Sequence, residues 1–149
     1  MRIAAALLIA AIVLTGIVLG AGLAHLLAMP NKMGLAREDY LVAQQVYRGW
    51  AFVGVPLYLD MIVILLAAWR MGATDGPVGW ALLALGFLVL GQIVFWIWTY
   101  PANVATAQWT TLPKDWEVLR RQWEISHAAG ALCSLAALFS LAVAAVKLR

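Results

Sequence analysis

The sequence predicts an all-α fold, an integral membrane antiparallel four-helix bundle, and two observations predict it. Of 149 residues, 65% are hydrophobic and only 11% charged, with mean hydropathy +0.91, against roughly 45–50% apolar content in soluble domains. The apolar runs are also long enough to cross a hydrocarbon core of roughly 30 Å, where backbone groups must be satisfied inside a helix. A soluble globular fold is excluded. The length suits one four-helix domain over residues 1–149.

The spans are expected at about 3–28, 41–70, 78–100 and 113–147. The first is rich in Ala, Leu, Ile and Val, carries Gly16 and Gly20 for close helix approach, and should end at Pro30-Asn31. Met1-Arg2 before a long apolar run imitates a signal peptide, but the length of the run favours an uncleaved first span. The second span starts among Gln44, Gln45, Tyr47 and Arg48 and holds Asp60 near its middle. As one helix it would align Gln45, Gly49, Phe52, Pro56 and Asp60, with a kink or freed carbonyl at Pro56. Asp60 is expected to be a hydrogen-bonded core carboxyl rather than a proton relay.

Arg70, Asp75, Gly76 and Pro77 make a polar turn, and Pro101 should end the third span. Residues 101–112 form an uncharged polar loop without glycine, expected to fold against the bundle. A fourth helix from Pro113 to Lys147 would measure about 52 Å at 1.5 Å per residue. Its excess over the bilayer is the amphipathic stretch 114–123, with Trp116, Leu119 and Trp123 along one side.

The net charge of +3 comes from ten scattered Lys and Arg, which form no run. Lipid headgroups, not nucleic acid, are the expected partner. Cys133 is the single cysteine and can form no internal disulfide. Four antiparallel spans bring the end of helix 1, the start of helix 2, the end of helix 3 and the start of helix 4 to one membrane face. His25, Gln45, Arg48, Gln92, Asn103, Arg121, Glu124 and His127 all map to that half, with six of the eight Trp. Unpaired polar groups facing lipid are costly, so these side chains should converge inward. Six Lys and Arg lie on this side and four on the side of the termini. The short basic N-terminus nevertheless argues for cytoplasmic termini in an inner membrane.

Several chemistries are compatible with the set. Glu124 and His127, three apart on a helix, resemble half of a carboxylate-bridged metal site, and with only two histidines the second half cannot be supplied. His25, His127 and Glu124 could hold a mononuclear iron, or the two histidines a b-type haem. Without a cofactor, His127 or His25 could act as general base on an acidic apolar substrate, with Asn103, Gln45 or an arginine such as Arg48 or Arg121 stabilising the anion. Trp123 and Trp96 are candidate substrate contacts, although Trp96 and Trp98 suit packing or an interfacial belt better than a clamp. A structural reading makes the same residues a buried network, Glu124 pairing with Arg120 or Arg121, in a non-enzymatic subunit of a larger membrane complex or a homo-oligomer.

The stretch Trp109-Thr-Thr-Leu-Pro-Lys-Asp-Trp-Glu-Val-Leu-Arg-Arg-Gln-Trp-Glu-Ile-Ser-His-Ala-Ala-Gly130, preceded by Pro101-Ala102-Asn103, resembles a bacterial family of four-span membrane proteins of unknown function grouped with the fungal anthrone oxygenases. The likeness takes in His25 with the following Leu and Pro30. It implies functional roles for His25, Asn103, Arg121, Trp123, Glu124 and His127. The implied reaction is oxygenase-type: an anthrone-like substrate is deprotonated and oxidised by dioxygen to a quinone.

Overall fold

The computed structural model describes residues 2–74 and 76–148; Met1, Asp75 of the polar turn and Arg149 lie outside them. Six α-helices follow in order: α1 (Arg2–Met33), α2 (Arg37–Gln44), α3 (Gly54–Gly72), α4 (Val78–Val94), α5 (Tyr100–Ala105) and α6 (Trp116–Lys147). Among the described residues, four continuous helical stretches, Arg2–Met33, Trp50–Gly72, Val78–Ala105 and Trp116–Lys147, are long and apolar enough to cross a membrane. The chain is an all-α bundle of multi-pass membrane type. Its outer surface carries Ile9, Ile17, Ile62, Phe139 and Val146, the apolar face that lipid requires.

The helix boundaries depart from the sequence expectation at Pro30, Pro101 and Pro113. The first helix does not stop at Pro30 but runs to Met33. So near the C-terminus, a proline costs one ladder bond and leaves the chain path intact. Pro101 does not end the third span either. Phe95–Thr99 is π-helical, with Tyr100 N–H reaching back to the Phe95 carbonyl, and this register shift makes room for the proline ring in the first turn of α5. Pro113 precedes the fourth helix, which begins at Trp116.

The second span is the largest correction. It is not one helix from 41 to 70 but α2, two 3₁₀ turns (Gln45–Tyr47 and Trp50–Val53) and α3, divided at Gly49. Gly49 has φ +86°, the left-handed region open to glycine without steric cost. The chain therefore turns before entering the membrane, and the proposed common face dissolves. Phe52 is 80% exposed while Asp60 is fully buried. Pro56 sits in the first turn of α3, where it causes no kink.

In the half nearer the termini, α1, α3, α4 and α6 meet through Ala4, Leu8, Ala11, Ile64, Ala67, Met71, Ala84, Ala137 and Leu141. At the upper edge of this core, Thr15 Oγ1 donates to Asp60 Oδ2 at 2.6 Å. Asp60 is thus the hydrogen-bonded core carboxyl expected. The close helix approach involves neither Gly16 nor Gly20, whose missing Cβ positions meet nothing; a Cβ at Gly22 would lie 3.1 Å from Ala131 Cβ. At the other end, Tyr40, Ala102, Trp109, Trp116 and Trp123 form a second cluster.

Candidate functional site

The inward face of α6 builds one wall of the site. Trp116, Arg120, Trp123, Glu124 and His127 recur at spacings of three and four, which stacks them on one side of the helix. Arg121 falls about 100° away and is exposed. The sequence-based placement of Arg121 in the site is therefore corrected: its neighbour Arg120 is the arginine turned inward.

Because α1 continues through Pro30, Lys32 lies two turns beyond His25 on the same face. Its ammonium is 2.8 Å from Glu124 Oε1, with 6% and 0% of the two side chains exposed. The same nitrogen lies 4.5 Å from the Tyr47 ring centroid and 5.0 Å from that of Trp123, within cation–π range. From α2, Tyr40 donates to Glu124 Oε1 at 3.0 Å and accepts from Gln44 Nε2. Burial, and then the adjacent carboxylate, push the Tyr40 hydroxyl far above the usual phenol range, so it remains a donor. Arg120 stacks on Trp116 and Tyr40, 4.6 and 5.4 Å from their centroids, and donates to the Leu35 carbonyl at 2.9 Å. One cation thus pairs directly with the buried carboxylate, while Arg120 acts on it only from beyond ion-pair distance. The glutamate pairs with Lys32 rather than with an arginine one turn back.

Beside this cluster stands the histidine pair. The His25 and His127 ring centroids are 4.3 Å apart with a 34° tilt. Tyr47 stacks on His25 at 4.1 Å, and Trp50 and Trp123 meet His25 edge-on at 5.3 and 4.9 Å. His127 Nδ1 lies 2.9 Å from the Trp123 carbonyl. A carbonyl can only accept, so Nδ1 carries the proton and Nε2 of the neutral ring keeps the lone pair. Trp123 is itself fixed by Asn103, whose Oδ1 accepts from Trp123 Nε1 at 2.7 Å and from Trp109 Nε1 at 3.1 Å. Trp109 reaches that position because Ala107, Gln108 and Trp109 adopt φ values of 47°, 58° and 59°. This left-handed run is pinned where Thr106 Oγ1 donates to the Ala102 carbonyl and accepts from Trp109 N–H. The loop after α5 is folded against the bundle, as its composition suggested, although its first residues are helical.

These groups border a cavity of about 610 Å³ between α1, α3, α4 and α6. His25, Tyr47, Trp50, Asn103, Trp109, Trp123 and His127 line its polar end. Gln45, Arg48, Gln92 and Trp96 line it too. Gln45 Nε2 donates to the Trp109 carbonyl at 3.0 Å, and Arg48 Nη2 donates to Gln45 Oε1 at 2.5 Å. Trp96, half exposed, packs on Phe95 and Tyr100 at the rim, and Trp98 is nearly half exposed as well. Glu124 does not line the cavity but stands behind the Trp123 wall, held by Lys32 and Tyr40.

The residues do not suit either cofactor weighed from the sequence. Axial haem ligands stand on opposite faces of a macrocycle, whereas the His25 and His127 rings are in mutual van der Waals contact. Glu124 Oε1 is committed to Lys32 and Tyr40. Among the described residues no group of three or more His, Cys, Asp or Glu is placed to hold a metal ion. The arrangement offers a neutral histidine lone pair in an aromatic cavity. No protein-family model, curated protein or solved structure matches this chain.

The sequence places Tyr47 and Trp50 at this end without a role, and it does not disclose Lys32, Tyr40 or the buried Thr99–Ser126 contact of 2.7 Å. Lys32 was lost with the helix ended at Pro30. The signal that could have found it is its spacing, seven residues from His25, which on an unbroken helix returns to the same face.

Proposed function

We propose that the protein is a small membrane oxidoreductase that binds a flat, weakly acidic aromatic substrate of anthrone or quinone type, with His127 as the base. The observation that carries this reading is the His127 tautomer: the Trp123 carbonyl holds the proton on Nδ1, leaving Nε2 to accept one at the cavity. Tyr47, Trp50, Trp123 and the His25 ring supply flat faces for stacking. Both indoles occupy Asn103 Oδ1, which leaves its Nδ2 to donate to the oxygen of the anion formed. Gln45 and Arg48 stand at the same end of the cavity.

In the oxygenase-type reaction implied by the family resemblance, the methylene carbon next to the aromatic rings loses a proton to His127. Dioxygen then oxidises that carbon to a carbonyl, one oxygen atom entering the quinone and the other leaving as water with the two hydrogens. The test is oxygen uptake by the purified protein with anthrone as the probe. One quinone should form per dioxygen consumed, and His127→Asn should lower the rate by about 100-fold or more without moving the melting temperature. A rate no higher than that without protein would overturn the reading. The cavity is assigned to the outer half of a cell inner membrane, with both termini cytoplasmic. Labelling of a C-terminal tag in intact cells would reverse that orientation.

A further inference from the structure

The cavity is longer than a ring system at the histidines needs, and its far end changes character. From His25 it descends α1 to Val18, about 10 Å at 1.5 Å per residue, and descends α6 from His127 to Cys133 and Ser134 by a similar distance. Leu57 of α3 and Leu88 of α4 complete that deep end. Its polar atoms are spent or weak: Ser134 Oγ donates to the Gly130 carbonyl at 3.1 Å, and the Cys133 thiol is the other heteroatom. The lining therefore grades from histidines, indoles and amides to aliphatic side chains over two helical turns. This gradient runs from the membrane face toward the bilayer interior, the direction in which a membrane amphiphile is itself polarised.

The same cavity reaches the lipid side between α3 and α4. Tyr58 and Gln92 both line it, and the Tyr58 hydroxyl donates to Gln92 Oε1 at 2.9 Å across that seam. Tyr58 is 48% exposed on a helix whose outer face is otherwise Leu59, Ile62 and Leu66. A polar bridge at this depth pairs the Tyr58 hydroxyl with Gln92 Oε1 and breaks at the loss of one hydrogen bond.

We infer that the ligand is an aromatic head carrying a flexible apolar tail, the ring seated against His25 and His127 and the tail lying along Leu57, Leu88 and Cys133. It reaches the site from the bilayer by parting the Tyr58–Gln92 bridge. The inference rests on the proposed function for the ring end and adds the tail and its route. A ring alone leaves the aliphatic end unfilled, whereas a tail there removes apolar surface from contact with water or void.

The experiment uses the full chain in lipid nanodiscs with a naphthoquinone bearing a ten-carbon chain that ends in a diazirine. After photolysis, mass spectrometry should place the label in 54–58, 88–92 or 130–134. Excess of the unlabelled tailed quinone should displace it at a concentration at least tenfold lower than 2-methyl-1,4-naphthoquinone, which has no tail. Leu57→Phe, filling the deep end, should remove the label from those segments while the tailless quinone still quenches tryptophan fluorescence, showing that the variant folds. Label confined to outward positions such as Ile62, Leu66 and Phe139, with tailless quenching intact and lost in His127→Ala, would overturn the tail site and leave the ring site standing. Absence of quenching by any ring would overturn both.

Discussion

The two halves of the bundle solve opposite packing problems. Near the termini, alanines at Ala4, Ala11, Ala67, Ala81, Ala84, Ala137 and Ala144 let the four long helices close on one another. In lipid, where no hydrophobic drive separates helix from solvent, such close van der Waals contact is what holds helices together. Toward the other face, Tyr47, Trp50, Trp109 and Trp123 occupy the same interior, and side chains of that size border a cavity instead of filling the space. Tight packing thus belongs to one half and the cavity to the other. The alanine half is a clamp that can hold the helices while the aromatic half keeps a cavity open between them.

That division can be broken at its buried charge cluster. Lys32→Ala would leave Glu124 buried without its cation, a loss of about 3–5 kcal/mol in denaturant unfolding. The double variant Lys32→Met with Glu124→Met should recover most of it, since a charge pair replaced by apolar groups of similar volume is close to neutral. If the single variant were as stable as the native protein, the cluster would carry no structural role. In the alanine half, Ala84→Leu should cost about 1–3 kcal/mol through overpacking yet leave the affinity of an aromatic probe unchanged by fluorescence titration. A matching loss of affinity would show that the halves are not separable.

Asn103→Ala sharpens the comparison from the aromatic side. Removing the acceptor shared by two indoles should cost about 1–3 kcal/mol, shift tryptophan emission and weaken the probe several-fold. The smallest effect contrasts two glycines of α1. Gly22→Ala, which presses a methyl against Ala131, should destabilise by about 1 kcal/mol. Gly16→Ala, meeting no neighbour, should stay within about 0.5 kcal/mol of the native protein.

The four spans were legible because hydropathy records what a bilayer demands of a helix, and their antiparallel order alone brought His25, Asn103, Glu124 and His127 to one end. Backbone dihedrals leave no such trace. Gly49 stands between the polar Gln44–Arg48 segment and the apolar run, and its φ of +86°, after the extended Arg48, divides α2 from α3. Pro30 and Pro101 read as stops because the sequence does not disclose that one stands in a final turn or that a π-helical stretch accommodates the other. From these two errors followed the loss of Lys32 and a loop assigned one turn too early. Arg120 and Arg121 show the finest limit: adjacent residues of one kind differ only in helical phase, and the phase is set by the wall of Trp116, Trp123 and Glu124 that Arg120 joins.

Under the proposed function, His127 Nε2 removes a proton from a ring substrate in this cavity. Hydrogen exchange into anthrone in deuterated buffer without oxygen, followed by proton NMR, measures that step apart from any oxidation. The native protein should accelerate exchange of the methylene hydrogens above the uncatalysed rate, and His127→Asn should return it to that rate while Ala84→Leu does not. Exchange equally fast in His127→Asn, or no acceleration by the native protein, would contradict the claim.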